Sequence, residues 1–313
     1  MNRFTLTIVG LVLLHKLYAQ YFTGEVVYSI KTIPRPGVNA DSLVHSQPGD
    51  TSVYLIGDRH YKSSYFRDGK PTYSYTFHDE TKRMYDEEEG KPYITWRDSR
   101  KGDHTMVRST IYKDSSTVIL GHPCYMVEYI YRDHVSKTYY TDNIRINYEA
   151  FKGHEVGNWY QIMKEVNGSF GMRTVTIYPT HTEVQEVTEM KQRDVKHGEF
   201  DLPSSKPVVA SFSALDSQVE MREPTDRLIN CYRYNLQKAP ELHGRTKSHT
   251  VYVRFMLSDK GEIQMVSAVG NDEYGLHKLA VEIITTCGFE FTTGTIENKP
   301  VSCEVYFPIE FLL

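Results

Sequence analysis

Residues 250–313 carry the sharpest alternation of apolar and polar positions in the chain. Val251, Val253, Phe255 and Leu257 fall on one face of an extended run, with Tyr252, Arg254 and Met256 on the other. That is the period of a half-buried strand. Ser258-Asp259-Lys260-Gly261 turns the chain, and the return run sets Ile263, Met265 and Val269 on one side. Leu276, Leu279, Ala280, Ile283, Ile284 and Cys287 then trace one stripe of an α-helix, with Asn271 or Asp272 to cap its start and Gly288 just past its end. In the final run Val301, Cys303, Val305, Phe307, Ile309 and Phe311 alternate with Ser302, Glu304, Tyr306, Pro308 and Glu310. Pro308 has no N–H to give, which suits an edge strand or a strand's end. The pattern predicts a small two-layer ββαβ unit whose last strand lies at the rim.

Upstream, short strand-like runs fill residues 21–202, at 24–30, 51–56, 59–66, 72–77, 83–85, 93–96, 106–112, 116–120, 125–131, 136–141, 174–178 and 181–191. Gly57-Asp58, Asp68-Gly69, Glu89-Gly90, Lys101-Gly102 and Asn167-Gly168 are turn signals beside them. Strands at this spacing predict a large antiparallel meander. Residues 32–50, with Pro34, Pro36, Gly37 and Pro48, read as a loop, and residues 153–168 have weak helical character around Trp159, Ile162 and Met163. Pro203-Ser204-Ser205-Lys206-Pro207 marks a boundary. The expected fold class is α+β, mainly β: a broad open barrel-like sheet over residues 20–203, a linker over 204–223, and the ββαβ unit over 224–313. That last unit opens with a helix at Thr225 and Asp226 whose stripe is Leu228, Ile229, Tyr232 and Leu236.

Val251-Tyr252-Val253-Arg254-Phe255, the Asp259-Lys260-Gly261 turn, the Leu276/Ala280 helix, Lys299-Pro300-Val301 and the terminal Phe307-Pro308-Ile309-Glu310-Phe311 resemble the C-terminal domain of the TonB energy-transducer family. Pro240 stands for the proline of that family's Tyr-Pro pair, but Ala239 occupies the tyrosine position. Phe289-Glu290-Phe291-Thr292 replaces the usual Trp-x-Pro. In the N-terminal part, Tyr54-Leu55-Ile56-Gly57-Asp58, Met84-Tyr85-Asp86, Val118-Ile119-Leu120-Gly121-His122-Pro123-Cys124, Tyr139-Tyr140-Thr141 and Phe200-x-Leu202-Pro203 resemble the exported GLPGLI-like proteins of Bacteroidetes. Their architecture is similar to the LolA-type open β-barrel around helices, although the Gly-Leu-Pro-Gly-Leu-Ile run itself is absent.

Composition changes this picture little. The formal charge of −4 balances 36 basic against 40 acidic residues, so nothing calls for a nucleic-acid partner or an anionic membrane surface. The 24 tyrosines suit one-sided sheets, with the ring on the core and the hydroxyl at water. Asn2-Arg3, the apolar run 4–14 and Leu17-Tyr18-Ala19 read as an export signal over residues 1–19. With no cysteine after the apolar run to take a lipid, the expectation is an exported periplasmic protein without a transmembrane anchor.

No motif for chemistry stands out. His154-Glu155 has Asn158 where a metalloprotease motif needs its second histidine, and the 13 histidines show no pair at metal spacing beside an acid or cysteine. Asp86-Glu87-Glu88-Glu89 lacks the spaced ligands of a calcium loop and reads as a solvated turn. The expectation is therefore a non-enzyme with no cofactor and no metal. Four cysteines allow three full connectivities. Cys287 on the helix stripe and Cys303 on the inner strand face are placed to pair across the small core, the alternative being two buried thiols.

The TonB resemblance implies an adaptor that takes up an extended peptide as an extra strand. Its pairing edge would be Val301, Ser302, Cys303, Glu304, Val305 and Tyr306, and its partner the TonB box of an outer-membrane transporter or another envelope protein. The LolA-like resemblance implies the alternative, a carrier of lipid or lipoprotein in the N-terminal domain.

Overall fold

The computed structural model describes residues 21–40, 43, 47–102, 105–238, 248–272 and 274–311. The export signal and positions 239 and 240 lie outside the described residues. No helix among the described residues is long and apolar enough to cross a membrane.

The chain begins with β1 (Gly24–Pro34), β2 (Thr51–Ile56), β3 (His60–Arg67), β4 (Lys70–His78), β5 (Arg83–Glu88) and β6 (Ile94–Asp98), each antiparallel to the one before. A second meander follows: β7 (Met106–Ile119), β8 (His122–Tyr131), β9 (Val135–Arg145), β10 (Ser169–Ile177) and β11 (His181–Gln192). β11 pairs with β1, so the two meanders merge into one sheet. The turn residues act as their chemistry requires. Asp68 and Gly69, both at positive φ, form the two-residue connection between the paired Arg67 and Lys70, the backbone twist a tight hairpin needs.

The tyrosines mark the covered face. Tyr61, Ser63 and Tyr65 on β3 stand opposite Phe77, Tyr75 and Tyr73 on β4. The short helix α1 (Trp159–Glu165) and the 3-10 turn Tyr148–Phe151 lie against them, with the rings of Tyr61 and Trp159 stacked at 5.7 Å. Val26, Ile56, Phe77, Val127, Phe151 and Met172 are fully buried in this first core. A side chain of that size, fully buried, contributes about 1.5–3 kcal/mol.

Next come β12 (Val208–Ala210), α2 (Asp226–Leu236), β13 (His249–Leu257), β14 (Ile263–Val269) and α3 (His277–Thr286). A separate ribbon of β15 (Thr295–Ile296) and β16 (Lys299–Pro300) leads into the last strand, β17 (Cys303–Phe311). The Thr225 hydroxyl caps α2 and the Asp272 carboxylate takes the His277 amide at the start of α3. Val253, Phe255, Leu257, Ala280, Ile283, Cys303 and Phe311 form a second core with no exposed surface.

Two expectations are corrected here. The terminal strand is not at the rim: the sheet has 15 strands in the order β14-β13-β17-β12-β6-β5-β4-β3-β2-β1-β11-β10-β9-β8-β7. The reason is β12, which comes from the stretch read as a linker. It runs parallel to β6 on one side and touches β17 on the other. At three residues it is too short for alternation to show in sequence. The second correction is the disulfide, which joins Cys287 to Cys231, with Cα atoms 5.3 Å apart, and leaves Cys303 a buried free thiol. The C-terminal end of α3 abuts α2, so the helix-to-helix partner is nearer than the strand.

The overall class is mainly β, with a large, mostly antiparallel sheet. Its outer strands, β14 and β7, do not meet, so the sheet stays open.

Candidate functional site

β17 has two unlike edges. Toward β13 it is paired along its length, from Leu257 opposite Cys303 to His249 opposite Phe311. Toward β12 the pairing is a single position, Ala210 with Cys303. Along a strand, successive residues present their main-chain groups to alternate sides. Two hydrogen bonds fix which residues face away from β13. The Ala210 N–H donates to the Ser302 carbonyl at 2.9 Å, and the Tyr232 hydroxyl donates to the Glu310 carbonyl at 2.6 Å. The even-numbered residues therefore turn their backbone outward; the parallel bridge of Ala210 to Cys303 takes up Ser302 and Glu304 on either side of Cys303, and beyond it Tyr306 and Pro308 line an edge that no described strand covers.

Of the residues expected to form the pairing edge, the first three are engaged. Val301 donates its N–H to the Gly294 carbonyl at 3.0 Å, Ser302 serves Ala210, and Cys303 is fully buried between β12 and β13. Val305 faces β13 and packs against the second core. Glu304 flanks the β12 bridge, and Tyr306 alone of the six stands on the open edge, which extends beyond it to Glu310. The usable segment is thus displaced toward the strand's C-terminal end, because β12 occupies its beginning.

An apolar trough runs beside this edge. One cavity of about 470 Å³ is lined by Phe212, Val219, Met221, Phe291, Val305 and Phe307 among others. A second, of about 360 Å³, lies between α2 and the strand, with Leu228, Ile229, Phe289, Phe307 and Pro308 in its wall. Met221 and Phe307 belong to both. The far wall is the stretch after β12, tied down by bridges from Ser217 to Thr295 and from Met221 to Phe291. Phe212, 63% exposed, and Met221, 39% exposed, leave the trough open to water.

The side chains of the edge residues are fixed from the N-terminal sheet. The Lys91 ammonium lies 2.5 Å from Glu304 Oε1, which also accepts the Tyr93 hydroxyl at 3.1 Å, and all three side chains are buried. Burial, and next the Glu304 carboxylate, push the Tyr93 phenol well above its ordinary value, so it stays a donor. Beside it, Arg254 Nη1 binds Glu88 Oε2 at 2.7 Å. The Tyr306 phenol is likewise raised, by burial first and by Glu304 second.

A different cavity, about 220 Å³, sits under the N-terminal sheet between Tyr28, Tyr54, Tyr61, Tyr75, Tyr140 and Trp159. Its lining also includes Ser63, Thr138, Thr174 and Gln185, and holds no charged side chain.

No protein-family model matches the chain, and no curated protein matches it in sequence. Among solved structures, the chain is similar to one described as PNGF-II, with a TM-score of 0.36 and 10% identity over 76% of this chain. The chain spans 44% of that structure.

Proposed function

We propose that this protein is a non-enzymatic adaptor of the Gram-negative envelope that captures an extended peptide by strand addition on β17. The supporting observation is the outward-facing main chain of Tyr306 and the carbonyl of Pro308, which no described strand pairs between the β12 bridge and the Tyr232 bond, and which an apolar trough borders. Each main-chain hydrogen bond contributes about 0.5–1.5 kcal/mol net. Three or four of them, with two side chains buried in the trough, give weak binding after association costs. The ββαβ order of the unit and its resemblance to the TonB C-terminal domain direct the search for a partner toward the TonB box of an outer-membrane transporter, with export to the periplasm as its setting.

The carrier reading has less support. A cavity of about 220 Å³ falls below the roughly 300–1,000 Å³ of sites that enclose a drug-sized ligand, and its tyrosine and threonine hydroxyls suit an acyl chain poorly.

Hydrogen exchange with a TonB-box peptide tests the adaptor reading. Slowed exchange is expected at the Tyr306 and Glu310 amides, with the amides of β13 unchanged. Unaltered exchange at both amides under millimolar peptide would remove strand addition as the function.

A further inference from the structure

Three side chains from distant parts of the sequence meet at the boundary between the N-terminal sheet and the stretch that leads to β12. His60 opens β3, Glu80 sits in the turn after β4, and His197 opens the 3-10 helix His197–Phe200. One ligand atom from each lies within 4.8 Å of the other two, and His60 Nε2 is 3.0 Å from Glu80 Oε1. The His60 and His197 rings are 4.9 Å apart, and the His60 ring lies 5.4 Å from that of the buried Phe200.

We infer that His60, Glu80 and His197 form a binding site for a divalent cation of the zinc type, which nothing in the sequence pattern announces. Two imidazoles and a carboxylate are a common zinc donor set, with the fourth position left to water. Imidazole-rich sites favour zinc, copper or nickel over magnesium and calcium. Bond lengths of about 2.0–2.1 Å put tetrahedral ligand atoms roughly 3.3 Å apart. The His60–Glu80 pair, at 3.0 Å, is already within a few tenths of an ångström of that separation. His197 and Glu80 are exposed, so their side chains can rotate inward, while His60 is held at 7% exposure.

The proton arrangement sets the affinity. The Asp79 N–H donates to His60 Nδ1 at 3.2 Å, which places the ring proton on Nε2, facing Glu80. A cation needs the Nε2 lone pair, so on loading the proton moves to Nδ1 and the Asp79 amide gives up one long hydrogen bond. No proton is lost overall from a neutral ring. The exchange weakens the site on the order of tenfold against one with a pre-set tautomer, which predicts micromolar binding. The nearby cations do not enter the site: Arg59 and Lys82 are both held by the Asp79 carboxylate. His78 stands outside it, its Nε2 donating to the Phe200 carbonyl at 2.9 Å. A bound cation would pin the 3-10 helix, and with it Phe200, to the start of β3.

The test is calorimetric titration of zinc chloride into the full chain, made without a histidine tag and stripped with chelator. One cation per chain is expected at micromolar Kd, with affinity falling at least tenfold in both Glu80→Gln and His197→Ala. Both altered residues are exposed, and an unchanged urea midpoint without metal certifies their folds. Nitrogen-15 spectra of the loaded wild type are expected to show His60 protonated at Nδ1. No binding up to millimolar zinc, or equal binding by wild type and both variants, would overturn the site.

Discussion

Lys91 and Glu304 form a buried ion pair across the two halves of the molecule, their side chains 5% and 9% exposed. They are 2.5 Å apart, and the Tyr93 hydroxyl completes the carboxylate's shell. Removing one partner strands a charge that water cannot reach. Lys91→Met is expected to lower stability by about 3–5 kcal/mol, whereas the pair Lys91→Met with Glu304→Leu should recover most of it. Urea unfolding of the three proteins checks this. A single variant as stable as wild type would mean the pair is solvated.

The unlike edges of β17 predict opposite outcomes for proline at adjacent positions. Tyr306 points its N–H away from β13, so Tyr306→Pro should leave stability within about 1 kcal/mol while removing peptide binding. Phe307 faces β13 opposite Val253, and Phe307→Pro should cost about 3 kcal/mol or more. Thermal unfolding together with peptide titration separates the two. Equal losses of stability would show that the open edge has been assigned to the wrong residues.

The Cys231–Cys287 bond closes a loop of 56 residues. Chain-entropy arguments give about 4 kcal/mol for a loop of that length. Cys231→Ser, or reduction, should lower the unfolding free energy from denaturant titration by that order. Alkylation of the unreduced, unfolded chain should label Cys124 and Cys303 alone. Label on Cys231 would contradict the pairing.

His154 is fully buried, stacked on Phe77 at 4.4 Å, and its Nε2 shares a hydrogen bond with the Tyr61 hydroxyl. Desolvation holds its pKa down at about 3, against about 6.5 in an unfolded chain. Above pH 7 both states are neutral there, and pH has no effect through this group. Between pH 6.5 and 3 the unfolded chain takes up a proton that the folded one refuses. Stability therefore falls with pH, by on the order of 4–5 kcal/mol across the window. His154→Phe should flatten that limb by one proton. Urea midpoints at pH 7 and pH 4 measure the difference, and an identical slope in the variant would rule out this histidine as the cause.

What was legible in the chain followed the length of each signal. Strands with full alternation, such as Val251 to Leu257 and Cys303 to Phe311, lie where their periodicity places them. The Asp68-Gly69 hairpin forms as its turn residues demand. The runs at 106–112 and 116–120 merge into one strand, β7, with a register shift between Tyr112 and Ser116. Val208, Val209 and Ala210 give no period to read, yet they decide that β17 is an inner strand. The sequence leaves the pairing of Cys287 open, because a helix stripe tells which face Cys287 occupies and nothing about which neighbour packs there; the partner is Cys231, and Cys303 is the buried thiol of the alternative reading. His60, Glu80 and His197 are hidden for a related reason: metal motifs are read from close spacing, and these residues are brought together by the β3–β4 pairing, which sets His60 opposite His78, and by the return of the chain to β3 at the 3-10 helix.

β12 meets β17 at a single position. Tension along β17 would be resisted in shear by the full ladder to β13, where many hydrogen bonds must yield together. The same pull would act on the β12 seam as on one stitch. A strand docked at Tyr306 would load β13 first, and the pull would reach the tyrosine-lined meander through that stitch and the Lys91–Glu304 pair.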